Sequence, residues 1–341
     1  MDTKNDSSKW FNVQLVPHSH IFSRNDRPGK EPIPLCKTIP VVDINTGERN
    51  YRPSKRANTI QAIIRAGQEF GFFQVVNHGV PEEAVFEAEE VTKELFSMGV
   101  DEISADSDAT GWVYMGSCST NYATKDAHLW RENIKHPCHP LEECLQYWPR
   151  KPARYRDVIS AYIAEIKKLS LKILGLISEG LGLEEGYLEG MSQVQFLTAS
   201  NYPPCPNPSL TLGLLKHFDH SLITILFQGD VEGLQVMKDG KWIGIETVPH
   251  AFVVNIGTQL EIISNGKLRS AEHRVVTNPY KARTSIATFI NPCPNSIIQP
   301  AQILLNKSNP PLYQPLLFKK FVTLSKPFGP FTDALTSDIT P

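Results

Sequence analysis

The segment 216–220, with the sequence KHFDH, places two kinds of metal-binding side chain two residues apart. If a strand begins here, its side chains alternate between two faces, so His217 and Asp219 share one face while His220 points away. An imidazole and a carboxylate on the same face can bind one metal ion from one side. A third ligand must then come from another part of the chain.

Two downstream histidines are candidates for that third ligand. His250 follows a proline and precedes an apolar strand, whereas His273 opens the β-branched run HRVV, in which a strand can hold the imidazole rigidly. We therefore prefer His273. Two imidazoles and one carboxylate occupy one face of an octahedron and leave three positions open, which is typical of non-haem iron(II) oxygenases.

A second pair of polar side chains lies ten residues beyond His273. Arg283 and Ser285 share one face of the next strand-like run, because side chains alternate with a period of two. A guanidinium beside a hydroxyl suits a carboxylate, and a buried arginine requires such a partner. An HxD pair alone is more often part of a surface strand or turn. The combined order of HxD, His and RxS is much less expected by chance.

The elements that must position these residues change character near residue 190. Before it, apolar residues recur at helical spacing, most clearly over residues 154–182, and only a few strands are indicated. After it, short β-rich runs follow one another, separated by turns such as Asp239-Gly240 and Asn265-Gly266. We predict an α+β chain: residues 1–190 form a mainly helical region with a few strands, packed on a jelly-roll domain over residues 191–341 that ends in a C-terminal extension.

The composition narrows the classes of partner. Of 341 residues, 41% are hydrophobic and 21% are charged, and the formal net charge of −2 argues against nucleic acid or an anionic membrane. No apolar run approaches the length of a membrane span, and the polar N-terminus lacks a signal peptide, so we expect a cytoplasmic protein. The six cysteines form no CxxC pair and are expected to be reduced thiols. We expect a monomer that acts on a small molecule.

Over residues 39–313 the chain resembles the plant 2-oxoglutarate/iron(II)-dependent dioxygenases, and most of all their hyoscyamine hydroxylase-like members. Besides HxD, His and RxS, the similarity is carried by the segments 70–79, 201–206 and 262–267, which read FGFFQVVNHG, NYPPCP and IISNGK. The resemblance implies a distorted double-stranded β-helix, the jelly roll of this family, flanked by N-terminal helices. His78, within the first segment, is interpreted as a packing or turn residue.

The resemblance also implies roles for individual residues. His217, Asp219 and His273 match the iron ligands, and Arg283, Ser285 and Tyr202 match the residues that bind 2-oxoglutarate. Phe289 matches a position that packs on substrate, and Phe218 is a second candidate substrate contact. No catalytic residue beyond the iron ligands is expected. One departure is Ser200, which stands where the family usually has an asparagine near the co-substrate.

The implied activity is oxidation of a small plant specialised metabolite, with an alkaloid as a candidate. Iron(II), O2 and 2-oxoglutarate are the implied cofactors and ascorbate the reductant, with succinate and CO2 released. Hydroxylation is the expected outcome, with desaturation or epoxidation as alternatives. An ethylene-forming-type iron oxidase would not use 2-oxoglutarate but would need an arginine in its C-terminal helix, and no arginine follows Arg283. A catalytically silent binding jelly roll or a zinc hydrolase would have no use for the complete set of five residues.

Overall fold

The computed structural model describes residues 13–29, 33–36, 39–45, 53–99, 102–106, 113–115 and 127–325. The helices are α1 (Pro53–Glu69), α2 (Glu82–Ser97), α3 (Leu141–Cys144), α4 (Tyr155–Leu181), α5 (Tyr187–Met191), α6 (Thr258–Ile263) and α7 (Phe318–Ser325). Residues 102–106 are also helical. Short 3₁₀ turns occur at His18–His20, Leu145–Tyr147, Pro208–Leu210 and Gln302–Leu304.

The strands are β1 (Leu35–Cys36), β2 (Val41–Asp43), β3 (Phe72–Val76), β4 (Val113–Met115), β5 (Glu132–His139), β6 (Val194–Tyr202), β7 (Leu214–His217), β8 (Ile223–Phe227), β9 (Leu234–Lys238), β10 (Lys241–Ile245), β11 (Phe252–Ile256), β12 (His273–Val275), β13 (Arg283–Asn291), β14 (Ile297–Ile298) and β15 (Leu316–Leu317). A large sheet has the order β2-β3-β11-β8-β13-β6-β5-β4, and a small sheet has the order β1-β10-β9-β12-β7. The strands β14 and β15 pair separately. Two sheets of mainly antiparallel strands confirm the predicted α+β fold with a jelly-roll core.

The two faces of the large sheet have different neighbours. Ile286 and Ile290 of β13 belong to the main hydrophobic core, together with the buried stripe of α4. Ala287, on the opposite face of β13, packs with Val236 and Val275 of the small sheet. We call the space between the two sheets the chamber. The helices that cover the other face of the large sheet are called the helical layer.

Helix α4 supports the outer face of the sheet and confirms the helix predicted over residues 154–182. Its apolar stripe includes Ile159, Ile166 and Ile173, all fully buried, and it packs against α1 and α2. Gly180 lets α1 approach closely, since a Cβ there would lie 2.5 Å from a side-chain carbon of Ile64. The helix ends at Gly182, which adopts the left-handed conformation with φ 72°.

The structure corrects two details of the predicted elements. Asn265 and Gly266 do form a turn, with positive φ angles of 52° and 76°, but this turn follows the end of α6 rather than joining two strands. The Asp239-Gly240 turn, in contrast, joins β9 to β10 as a two-residue hairpin, as predicted. Strand β5 was not predicted, because its alternation of Glu132, Lys135 and Pro137 with apolar residues is irregular.

The sequence division near residue 190 stays a prediction. Four strands of the large sheet, β2 to β5, come from before that residue, so the helical region completes the jelly-roll sheet rather than only covering it. The described cysteine side chains are free thiols: Cys138, Cys144 and Cys205 are buried, and Cys293 is half-buried. The side chains of Cys36 and Cys118 lie outside the described residues.

Candidate active site

The residues His217, Asp219 and His273 come together at one end of the small sheet. Strand β7 ends at His217, and β12 begins at His273, which is its direct partner across the antiparallel pair. Asp219 lies in the turn that follows β7, so the predicted strand ends at the HxD segment instead of beginning there. One donor atom from each residue lies within 4.8 Å of the other two.

Backbone carbonyls fix the orientation of both imidazoles. Nδ1 of His217 donates to the carbonyl of Leu215 at 2.8 Å, and Nδ1 of His273 donates to that of Ala271 at 3.1 Å. Each Nε2 is thereby left with its lone pair, and the two Nε2 atoms lie 3.6 and 3.7 Å from Oδ1 of Asp219. Three such donors around one point can hold a divalent metal ion.

The surroundings of Asp219 favour its charged form. Its Oδ2 accepts a hydrogen bond from Nδ2 of Asn255 at 2.9 Å, and its backbone carbonyl accepts from the amide and hydroxyl of Thr258. Burial alone would raise the pKa of Asp219, but the two imidazoles and the hydrogen bonds from Thr224 and Asn255 outweigh burial and lower it. Burial and the neighbouring His273 lower the pKa of His217 to about 3.

His220 and the alternative candidate His250 lie away from this cluster. His220 points away, as predicted, and its ring lies 5.3 Å from that of Phe321 in α7. His250 is 66% exposed and lines a separate surface cavity of about 640 Å³ beside α2. His78 donates from Nε2 to the His250 carbonyl and accepts at Nδ1 from the amide of Val80, which is the geometry of the predicted turn residue.

Arg283 and Tyr202 are direct partners across β13 and β6, and their side chains face the chamber. Nε of Arg283 donates to the carbonyl of Val231 at 3.0 Å, and its Cζ lies 5.2 Å from the centre of the Tyr202 ring. Nη1 and Nη2 are buried and have no hydrogen-bond partner among the described residues. Ser285 is buried on the same face, so a carboxylate can satisfy the two orphaned nitrogens beside its hydroxyl.

Arg131 is a residue of this site that sequence reasoning missed. It is half-buried and directly precedes β5, and its interactions reach both Tyr202 and His217. Burial would raise the pKa of Tyr202, but the charges of Arg131 and Arg283, with hydrogen bonds from Ser200 and Arg131, lower it. No clear local signal pointed to Arg131, because β5, the strand that positions it, alternates irregularly.

The two candidate substrate contacts occupy different positions. Phe289 is half-buried, lies on the same face of β13 as Arg283, and is the direct partner of Phe196 in β6. Phe218 is half-buried and lies between two of the clustered donors. Their contact with a substrate stays a prediction.

Comparison with known proteins identifies the family. Residues 191–292 match the 2OG-Fe(II) oxygenase superfamily, and residues 39–155 match the N-terminal region described as that of a non-haem dioxygenase in morphine synthesis. The hyoscyamine 6-dioxygenase of Hyoscyamus niger is 38% identical over 93% of this chain and 93% of its own length. The 2'-deoxymugineic-acid 2'-dioxygenase of Hordeum vulgare is 36% identical over 91% of this chain and 89% of its own length.

Solved structures of dioxygenases are also similar to this chain. The crystal structure of JOX2 in complex with 2OG, Fe and JA superimposes with a TM-score of 0.84 at 34% identity, covering 100% of this chain and 99% of JOX2. The rice dioxygenase for auxin oxidation shares the fold, with a TM-score of 0.77 at 20% identity over 89% of this chain and all of its own. The chain belongs to the 2OG-Fe(II) oxygenase superfamily.

Membership confirms the predicted class of enzyme and its cofactors. The protein is a 2-oxoglutarate/iron(II)-dependent dioxygenase, and its donor cluster and buried orphaned guanidinium fit the two groups. None of the described helices has the length and apolarity needed to cross a membrane.

Proposed function

We propose that His217, Asp219 and His273 hold iron(II), and that Arg283, Ser285 and Tyr202 bind the distal carboxylate of 2-oxoglutarate. The observation that carries this proposal is the orphaned pair of Arg283 nitrogens, which faces the same chamber as the metal-binding cluster. A buried arginine whose two terminal nitrogens lack a protein acceptor is costly, and a carboxylate offers the bidentate acceptor that they require.

Each group of residues has a separate role in the proposed reaction. Bound iron supplies the activation of O2 that the side chains cannot supply themselves. The backbone bonds of His217 and His273 hold both Nε2 atoms in place, and Asn255 holds the carboxylate of Asp219. Arg283 would hold the distal carboxylate of the co-substrate from the opposite sheet. Ascorbate is proposed as the reductant that keeps the iron active.

We propose a small specialised metabolite as the substrate. The relatives support this class, since their names specify hyoscyamine, 2'-deoxymugineic acid and, for a rice enzyme, flavanone. An alkaloid is a candidate because one relative is named for hyoscyamine. Hydroxylation is the proposed outcome, with desaturation or epoxidation open to the same residues. We also propose a cytoplasmic monomer.

Anaerobic titration of the purified protein with iron(II) and 2-oxoglutarate tests the cofactor assignment. A weak visible charge-transfer band should appear only when both are present, and it should require a much higher 2-oxoglutarate concentration in Arg283→Leu. A band of equal 2-oxoglutarate dependence in the variant would show that the co-substrate binds elsewhere. Bound iron without any band would favour the ethylene-forming type or a silent binding protein.

A further inference from the structure

A row of three side chains crosses the chamber face of the large sheet. Arg283 of β13 is opposite Tyr202 of β6, and Arg131 directly precedes β5, the next strand in the sheet. Glu132 is opposite Asn201, so the antiparallel register continued by one residue brings Arg131 beside Tyr202. Arg131 therefore lies on the chamber face, next to the residues proposed to bind the co-substrate.

Arg131 differs from the paired arginines of this protein. Arg56, Arg150 and Arg154 each form an ion pair with a carboxylate, and Arg274 bonds to an amide and stacks on a tryptophan ring. In the described parts of the chain, no carboxylate lies within ion-pair distance of Arg131, although it is half-buried. A half-buried cation in a chamber of low dielectric attracts an anion from solution.

The charges of the metal and co-substrate do not satisfy Arg131. The positive charges of iron(II) and Arg283 are balanced by the Asp219 carboxylate and the two carboxylates of 2-oxoglutarate. Of the residues that the structure describes on the chamber faces of β5, β6 and β13, none is acidic. Arg131 therefore gives the β5 side of the chamber a positive charge that no described residue on these three faces offsets.

We propose that the oxidised substrate carries a negatively charged group, a carboxylate or an equivalent anion, and that Arg131 binds it. The inference rests on the proposed function, because the charge balance assumes iron and 2-oxoglutarate at the assigned residues. The rest of the substrate would pack against Phe196 and Phe289, which are direct partners farther along the same two strands. Nζ of Lys135 lies 5.1 Å from the centre of the Phe196 ring.

This inference discriminates between classes of metabolite. An acid matches the positive charge of Arg131 and gains a charge-assisted hydrogen bond, whereas an amine without an acidic group meets like charge. An alkaloid would then be accepted only if it also carried an anionic group. The neutral amide of the same acid keeps its shape but loses the charge, so matched pairs of acid and amide isolate the contribution of Arg131.

The test is calorimetric titration of the anaerobic iron(II)·2-oxoglutarate protein with phenylacetate, phenylacetamide and 2-phenylethylamine, followed by octanoate and octanamide. Each acid should bind roughly tenfold or more tightly than its amide, which corresponds to about 1.4 kcal/mol. The amine should bind most weakly. Arg131→Met should remove the preference for acids, and Arg131→Lys, which keeps the charge, should retain most of it. The charge-transfer band monitors the cofactors separately in every sample.

Several results would overturn the proposal. It fails if an amide or the amine binds as tightly as the matching acid, or if neither acid binds at millimolar concentration. It also fails if Arg131→Met raises the 2-oxoglutarate requirement while the preference for acids persists, because Arg131 would then serve the co-substrate. If the band itself is missing from the wild-type protein, the cofactor assignment fails instead, and the two failures are distinguishable.

Discussion

The metal-binding cluster and the chamber face of the large sheet are built in different ways. The three donors come from a four-residue strand, a turn and a three-residue strand, and each donor residue is fixed by a hydrogen bond to a neighbouring group. The chamber face is formed by long strands, with nine residues each in β6 and β13 and eight in β5. There, the alternation of the strands directs the side chains inward.

This difference separates the chemistry from the choice of substrate. A change among the donors disturbs an arrangement in which each group depends on the others, so no substitution is tolerated easily. A change on the chamber face replaces one side chain and leaves the sheet hydrogen bonds intact. We therefore expect the effects of substitutions on iron and 2-oxoglutarate binding to decrease steeply from the cluster to the far end of the chamber face.

The largest effect is expected for His217→Ala and Asp219→Ala. Either substitution leaves two donors, which hold iron poorly, so both bound iron and 2-oxoglutarate-dependent turnover should be lost. His250→Ala is the matched control, because this histidine is exposed and lies outside the cluster, and it should keep full iron content. Iron content is measured after desalting. Normal activity in Asp219→Ala would contradict the assignment of the cluster.

A large but graded effect is expected for Arg283→Leu. Loss of hydrogen bonds to a charged acceptor costs about 1.5–3 kcal/mol, so the 2-oxoglutarate requirement should rise roughly 10- to 100-fold. Bound iron should be retained. The concentration dependence of the charge-transfer band measures the effect.

Arg274→Leu provides the control for Arg283→Leu, since Arg274 is also buried but bonds to Gln235 and stacks on the Trp242 ring. It should lower the melting temperature and leave the 2-oxoglutarate requirement unchanged. In Arg283→Leu the melting temperature of the free protein should not fall, because the protein loses two unsatisfied buried nitrogens. The rise in melting temperature that added 2-oxoglutarate gives the wild-type protein should disappear. If both variants changed the melting temperature and the 2-oxoglutarate requirement in the same way, Arg283 would have no special role in binding the co-substrate.

Sequence patterns predicted the metal-binding cluster more completely than the chamber face. The HxD spacing and the β-branched run after His273 are local signals, and the structure brings these residues together. Arg283 and Ser285 also lie on one face of a regular strand, as their spacing predicted. The order of the strands in the sheet is not encoded locally, so the pattern could not show that β5 lies beside β6.

The consequence of missing β5 was that Arg131 went unnoticed. Its preceding tryptophan and following glutamate give no clear alternation, and Pro137 weakens the strand signal further. The strand forms because β6 supplies a long partner and because Ile134 and His136 are buried against the helical layer. Tertiary contacts of this kind override a weak local propensity.

An effect on iron affinity, without loss of a metal ligand, is expected for Asn255→Ala, which removes the hydrogen bond to Oδ2 of Asp219. Groups that orient a metal ligand typically contribute roughly 10- to 100-fold to metal affinity. The carboxylate remains in place, held through its backbone by Thr258, so iron should still bind at high concentration. Iron affinity is measured by competition with a chelator, and an unchanged affinity would show that Asn255 is not needed to orient Asp219.

The smallest effect on the cofactors is expected for Phe289→Ala at the far end of the chamber face. Phe289 faces the chamber and is half-buried, while its neighbour Ile290 faces the main core and is fully buried. Phe289→Ala should leave the charge-transfer band unchanged and cost about 1 kcal/mol of unfolding free energy. Ile290→Ala should cost about 2–5 kcal/mol because it opens a cavity in the core.

Chemical denaturation of both variants, with phenylacetate binding measured beside it, determines the role of Phe289. Weaker binding of phenylacetate by Phe289→Ala, without a large loss of stability, would assign the ring to the substrate. If Phe289→Ala were as destabilising as Ile290→Ala, the ring would belong to the core. The chamber face would then end before Phe289, and substrate choice would rest on Arg131 and its nearer neighbours.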